Sequence, residues 1–437
     1  MNVPARLIPL LVLAVALPLA AQPAPEGADL EVGESIDVRV VNVEAVVTDS
    51  HGQHIKGLNS ASFRLLVDGK EVPIDYFTEI RSGSAVAAGG EGPAAPVTGT
   101  VGRNVLVFID QSYSVQAQLA LVLRRLEKDL AGLGPEDQVA LVAADGEGHL
   151  KILTGWTSDA SRLHTVLDQV RRQPTDGAQL RVALDRIESD RILRNSVDNT
   201  GALGDPTSLS GSEEGHWWDL REATQPGRLS TLERYSVVER GEASLFADDS
   251  FGMTVLAAMR AFSSAPGRKV LLLYSGGWPA GVEPRVTEGA NLLGYSIYPV
   301  DVSGLQTPPV RVNADRFDYA ELGSYSDRNT FITSSWERRV EYGFEVLARD
   351  TGGKASLNGL RETALARTLD DTSSYYWLGF SPTWKADGSK HDIRLEMRGS
   401  GLHVRARRSY SDLSLKAQQA LEAASRKVIA AAGTGTR

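Results

Sequence analysis

Residues 105–110, VLVFID, form an unbroken apolar run that stops on an acid. A strand with one face in water alternates apolar and polar side chains. A run without that alternation marks a strand buried on both faces, and such strands sit in sheets flanked by helices. The chain beyond it keeps to the same grammar. Val115, Leu119, Val122, Leu126, Leu130 and Leu133 recur at three- and four-residue steps, with Arg124, Arg125, Glu127, Lys128 and Asp129 between them. That spacing predicts an amphipathic helix, stopped by Gly132 and Gly134. GPEDQVALVAADGEGHLKILTGW predicts strand, Asp-Gly turn and strand, and SDASRLHTVLDQVRR a helix capped by Ser158 or Asp159. GMTVLAAMRAF predicts a helix, GRKVLLLYSGG a strand, and VTEGANLLGYSIYPVDVSG a helix followed by a strand. Alternating strands and helices predict an α/β fold, a doubly wound, mostly parallel sheet over residues 103–372.

The flanking segments read differently. In IDVRVVNVEAVVT, Val41, Val43, Ala45 and Val47 alternate with Asn42, Glu44 and Val46, the period of a half-buried strand. Asp68-Gly69 inside FRLLVDGKEVPIDYF is a hairpin signal. Residues 32–80 are therefore expected to be an all-β unit with few strands. Three further strand-like runs, SYYWLGFSP, DIRLEMRG and GLHVRARRSY, fall within 373–412 and are expected to complete it as a sandwich-like unit, with the α/β domain inserted between the halves. The Gly-, Ala- and Pro-rich stretch 82–102 reads as a linker, residues 185–250 as an insertion, and residues 413–437 as a helical tail that frays. Within the insertion, His216-Trp217-Trp218 is expected to pin a loop.

Residues 1–21 carry Arg6, a short apolar run and Ala20-Ala21, which predicts a secretory signal peptide and an exported, periplasmic or extracellular protein. The run is short for a bilayer span, and no later segment is long and apolar enough. The 437 residues contain no cysteine, so an exported chain of this kind relies on its own core or on a metal, not on disulfides. A net charge of −9 without a basic run argues against nucleic acid. No G-x-G-x-x-G follows the first strand and no H-E-x-x-H exists, which sets aside dinucleotide binding and that zinc motif.

Open parallel sheets bind ligands where strands end and helices begin. At that place stand Asp110, Ser112 and Ser114, whose alternate spacing turns one carboxylate and two hydroxyls toward one point. Oxygen ligands suit a hard cation such as Mg²⁺. Uncharged hydroxyls leave that cation electron-poor and ready to take a carboxylate from outside, an arrangement for binding more than for hydrolysis. As an acid at a helix N-terminus, Asp110 also has a plain structural reading.

Strand-Asp110-x-Ser112-x-Ser114-helix, set in this α/β order, resembles a von Willebrand factor type A domain and its metal-ion-dependent adhesion site. VNVEAVVTDSHGQHIKGLNSASFRLLVDGKEVPIDYF, PGRKVLLLYSGG, YSIYPVDVSGL, LARDTGGKASL and SYYWLGFSP together resemble the secreted VWFA-related proteins of acidobacterial type, over most of residues 36–412. The resemblance implies Mg²⁺ or Mn²⁺ held directly by Ser112 and Ser114, with Asp110 acting through water. It also implies a loop threonine, here Thr175 with Thr254 as the alternative, and a partner contacting Gln111, Tyr113 and Asp176. Where the family places an aspartate after the fourth strand, this chain has Ser275, which implies weaker metal binding.

Three functions follow as expectations. The first is a non-enzymatic module that captures a protein partner presenting an acidic residue. The second is a scaffold in an envelope complex whose metal site is vestigial. The third is a serine hydrolase using Ser275, against which stands Leu273 in the place where a G-x-S-x-G elbow has glycine. Asp301, at the end of YSIYPVD, reads as a second acid near the metal or as a cap. Tyr375-Tyr376-Trp377 reads as cross-strand packing, and Arg405, Arg407 and Arg408 as a solvated face.

Overall fold

The computed structural model describes residues 40–86, 102–145, 149–178, 250–265, 267–277, 284–303, 340–384 and 386–414, with single residues between 416 and 423. The expected signal peptide, the His216-Trp217-Trp218 triplet, most of the 185–250 insertion and most of the tail lie outside them. Near the N-terminus run β1 (Val41–Thr48), β2 (Phe63–Val67), β3 (Lys70–Val72), β4 (Tyr76–Arg81) and β5 (Ser84–Val86). Asp68 and Gly69 both take positive φ, 49° and 76°, as the two-residue hairpin between β2 and β3 demands. Ser82 and Gly83 do the same, at 46° and 79°, between β4 and β5. The segment expected as a linker from residue 82 therefore begins with a hairpin. Its Gly83 is a turn residue, a role that composition alone does not separate from a linker glycine.

Between β5 and the C-terminal strands lies the α/β body. Its strands are β6 (Arg103–Asp110), β7 (Gln138–Ala144), β8 (Leu150–Ile152), β9 (Arg268–Ser275) and β10 (Tyr295–Asp301). They form one sheet in the order β10-β9-β6-β7-β8, parallel throughout except for the antiparallel edge strand β8. The helices are α1 (Gln116–Asp129), α2 (Ala160–Arg171), α3 (Ser250–Ala261), α4 (Pro284–Leu293), α5 (residues 340–351) and α6 (Ala364–Asp371). On one face Val105, Val107 and Ile109 of β6 meet α1, α2 and α6, through residues such as Val122, Leu167 and Leu365. On the other, Leu106 and Phe108 meet α3, α4 and α5, through Val255, Val286 and Phe344. This two-sided cover is why β6 is apolar at every position from Val105 to Ile109.

The C-terminal strands are β11 (Ser374–Phe380), β12 (Lys390–Met397), β13 (His403–Ala406) and β14 (Ser409–Ser411). They interleave with the N-terminal ones in two antiparallel sheets, β13-β1-β11-β4-β5 and β14-β12-β2-β3. Val43, Ala45, Val47 and Leu378 from the first sheet share one core with Phe63, Leu65 and Ile393 from the second. Tyr376 packs there against Phe63 and Phe77, as the cross-strand reading expects.

The first sheet is covered on its other face as well, where Val46, Ile80 and Tyr375 are buried together. There it meets the α/β body at the starts of the parallel strands. Arg268, 2% exposed, lies with Nε 3.1 Å from Glu44 Oε2 and its guanidinium 4.3 Å over the Tyr375 ring. Arg405 donates to both oxygens of Asp371, at 2.6 and 2.8 Å, and to the Gly353 carbonyl at 2.8 Å. Arg407 donates to the Asn291 carbonyl at 2.8 Å. Arg405 and Arg407 thus lie in a junction and not on the solvated face expected for them; of the three, Arg408 is the most exposed, its side chain at 58%. A period of two marks which residues share a face and is silent on whether another layer covers it.

Removing one partner of a buried ion pair leaves the other charge uncompensated, which costs about 3–5 kcal/mol. Arg268 is the more deeply buried partner, while Glu44 is partly open to water. Glu44→Gln is therefore expected to destabilise the protein by about 3 kcal/mol, and by more than Arg268→Met. Urea unfolding of both variants checks the order, and a larger loss for Arg268→Met would reverse it.

Candidate metal site at the carboxyl ends of the strands

Asp110 closes β6 with its side chain fully buried, 0% exposed. Its Oδ1 accepts the backbone N–H groups of Ser112 (2.7 Å) and Tyr113 (3.0 Å), which bends the chain sharply off the strand. The loop is tied to the neighbouring strand, since Gln111 N–H donates to the Ala144 carbonyl at 2.9 Å and Ser112 Oγ to the Asp145 carbonyl at 2.6 Å. Ser114 Oγ is buried and has no hydrogen-bond partner. Helix α1 starts directly after it, and its N-cap, Val115, supplies no side-chain cap.

Two further loops close on this one. From β9 come Ser275, Gly276 and Gly277. A Cβ added to Gly276 would stand 2.2 Å from the Tyr113 carbonyl oxygen, so only glycine permits the approach. From the end of α2 come Thr175, Asp176 and Gly177. A Cβ on Gly177 would stand 2.4 Å from the Ser114 carbonyl carbon, and Asp176 N–H donates to the Gln111 carbonyl at 3.0 Å. Thr175 Oγ1, like Ser114 Oγ, is buried without a partner. The loops carrying Asp110, Ser112, Ser114, Thr175 and Ser275 are thus packed together. Thr254 lies buried within α3 and not in a loop.

Ser275 is wholly buried, and its Oγ sits 2.6 Å from Asp110 Oδ2 and 2.7 Å from the Gly277 carbonyl oxygen. A hydroxyl has one proton for these two acceptors. With Asp110 neutral, the acid proton fills the first contact and Ser275 donates to Gly277. Burial pushes the Asp110 carboxyl up to about 6, against the hydrogen bonds from Ser275 and from the N–H groups of Tyr113, Ser112 and Gly276 that pull it down. Neutral donors soften the desolvation of a carboxylate but do not cancel it.

Gln111 and Tyr113, expected to face a partner, are 4% and 8% exposed. Gln111 Nε2 donates to Gln173 Oε1 at 2.9 Å, and the Tyr113 ring packs edge-on against Phe251 at 5.2 Å. Every side chain from Asp110 to Ser114 is buried, and Tyr113 falls into the apolar cluster beneath α3. Asp176 is half-buried. Asp301, the register partner of Ser275, accepts the Ser303 N–H on Oδ1 at 2.9 Å. Sequence reasoning missed Ser303, whose hydroxyl donates to the Gly276 carbonyl at 2.9 Å, and Asp145, whose carbonyl holds Ser112. A serine or aspartate just past each strand end was the available signal.

No protein-family model matches this chain, and no curated protein matches it. Among solved structures it is similar to an aerotolerance-related membrane protein from Bacteroides fragilis NCTC 9343 with multiple mutations to serines. That match has 13% identity over 62% of this chain and 98% of the other, with a TM-score of 0.31. Similarity to BatB, a conserved hypothetical protein from Bacteroides thetaiotaomicron, is 14% identity over 62% and 98%, TM-score 0.31. The vWF domain of the type V pili tip protein Mfa5 from Porphyromonas gingivalis matches over 18% of this chain and 28% of that one, at 20% identity and TM-score 0.13. At these scores the similarities assign neither a family nor a function. Among the described residues, no helix is long and apolar enough to cross a membrane.

Two outcomes follow. Gly276→Ala sets a Cβ against backbone that has nowhere to go, and is expected to cost at least about 2 kcal/mol in thermal or urea unfolding. The second concerns pH. With its folded pKa raised, Asp110 binds more protons in the folded than in the unfolded chain between pH ~4 and ~6, so metal-free stability falls as pH rises through that window. Asp110→Asn mimics the neutral acid. In EDTA the variant should gain on wild type by an amount on the order of 3 kcal/mol between pH ~4 and ~7.5, whereas parallel stability curves would contradict the assignment.

Proposed function

We propose that this chain is an exported, non-enzymatic binding protein in which a doubly wound domain of von Willebrand A type is carried on a sandwich-like β unit. It captures a protein partner through a metal-ion-dependent adhesion-type site. Ser112, Ser114 and Thr175 would hold Mg²⁺ or Mn²⁺ directly and Asp110 would act through water. When bound, the ion supplies an electrophilic position for an acidic side chain of the partner. The observation that carries this reading is the pair of buried, unpartnered hydroxyl oxygens, Ser114 Oγ and Thr175 Oγ1, on two loops packed against each other beside a buried carboxylate. Buried polar atoms ordinarily have partners, and hard oxygen donors suit such an ion. Because Gln111 and Tyr113 are buried, contacts to a partner would come from Asp176 and from the ion itself.

A second reading, a scaffold with a vestigial site, has one observation in its favour. Ser275 stands where the resemblance expects an aspartate, and its hydroxyl is spent on Asp110 and Gly277. The complete burial of the Ser275 side chain weighs against it as a nucleophile.

Thermal unfolding in EDTA, Mg²⁺ or Mn²⁺ separates the first two readings. An ion at 100 times its dissociation constant, bound only by the folded state, adds about 2.7 kcal/mol, a rise of several degrees for a domain of this size. The binding reading expects that rise in wild type, its loss in Asp110→Ala and its enlargement in Ser275→Asp, which restores a carboxylate. No rise in wild type at saturating metal leaves the scaffold.

A further inference from the structure

A second cluster of ligand-type side chains lies far from Asp110 in the chain, on the sheet β14-β12-β2-β3. One ring nitrogen of His391 and one carboxylate oxygen each of Asp387 and Asp412 all lie within 4.8 Å of one another. The three come from a turn, a strand and the chain just past β14. That turn is clamped, because Gly388 N–H donates to the Asp412 carbonyl and Asp412 N–H to the Ser389 carbonyl, both at 2.9 Å.

The tautomer of His391 is set by its other side. Nδ1 lies 2.8 Å from Asp68 Oδ2, and a carboxylate only accepts, so Nδ1 carries the proton. In the neutral ring Nε2 then presents a lone pair. Nε2 is buried and has no hydrogen-bond partner. Asp68 is itself fixed, with Oδ1 accepting the Asp392 N–H at 2.9 Å. The ring is stacked on Tyr410 at 5.0 Å and flanked by Trp384 at 5.4 Å. An imidazole oriented by a carboxylate behind it, and grouped with two more carboxylates, is the arrangement in which histidine binds a metal. Asp387 Oδ1 accepts the Ser389 N–H at 2.7 Å, which fixes the turn that carries it. The nearby ammonium of Lys390 is paired with Glu288 at 3.2 Å.

We infer that Asp387, His391 and Asp412 form a site for a divalent transition ion, with Zn²⁺ as its natural probe, and that the ion clasps the end of β14 to the turn before β12. One nitrogen and two oxygens suit such an ion better than Mg²⁺. Ligands about 2.0–2.2 Å from a tetrahedral ion stand roughly 3.4 Å apart. That spacing falls inside the 4.8 Å within which the three ligand atoms lie. In a chain without cysteine the clasp does what a disulfide would do, holding a short terminal strand to the sheet.

The test is Zn²⁺ uptake by the full chain, followed by equilibrium dialysis and metal analysis, for wild type, Asp387→Asn, His391→Gln, Asp68→Asn and Asp110→Ala. Asp387 is exposed, so its variant keeps the fold. Wild type is expected to hold one Zn²⁺ that Asp110→Ala retains and that Asp387→Asn and His391→Gln bind at least about tenfold more weakly. Asp68→Asn, which keeps the turn and the Asp392 hydrogen bond, is expected to weaken it by roughly 10–100-fold. No uptake by wild type in excess Zn²⁺, or uptake unchanged in Asp387→Asn, overturns the site. Uptake lost only in Asp110→Ala would assign the ion to the other end of the molecule and equally overturn it.

Discussion

The architecture follows from the need to cover β6 on both faces. Five consecutive apolar residues in its centre are each fully buried, and a single layer of helices could hide only alternate ones. Helices on both sides require crossovers that return the chain to the same end of the sheet before each new parallel strand. Every loop that leaves a parallel strand consequently emerges at one edge. The loops after β6 and β9 meet around Asp110 for that reason, the loop with Thr175 arrives from the end of α2, and Gly177 and Gly276 let the three meet at backbone contact.

The same geometry separates the two ends of the body. Arg103 and Arg268 begin β6 and β9, where the β unit docks through Glu44 and Tyr375, while Asp110 and Ser275 end those strands. Seven residues of strand at about 3.3 Å each put roughly 23 Å between them. The β unit therefore attaches at the pole opposite the candidate site. Its own strands come from both ends of the described chain, so the α/β body enters and leaves from the docked pole.

Charge is handled differently at the two poles. At the junction arginines find carboxylates and carbonyls, as with buried Arg268 beside Glu44 and half-buried Arg405 on Asp371 and Gly353. At the strand ends Asp110 is met by neutral donors, and burial raises its pKa to about 6. A carboxylate kept in such surroundings, beside two hydroxyl oxygens without partners, is costly in a purely structural role. That cost is the physical content of the binding reading.

Much of the fold was legible in the residues themselves. The unbroken VLVFID run, the three- and four-residue steps after it and the period of two in β1 report directly on how each segment is covered. The Asp110-x-Ser112-x-Ser114 spacing could be read because the residues of one loop stay together wherever the loop goes, whereas Thr175, on another loop, came only with the resemblance. What pairs across the chain could not. The Ser275 bond to Asp110 spans 165 positions, and the Asp68 bond to His391 spans 323. The burial of Gln111 and Tyr113, and the covering of Arg405 and Arg407, depend on which layer lies against them. Local sequence determines periodicity and turn chemistry, because those are set by neighbouring residues. Only the tertiary structure decides which polar atoms are buried together, because that depends on packing between segments distant in the chain.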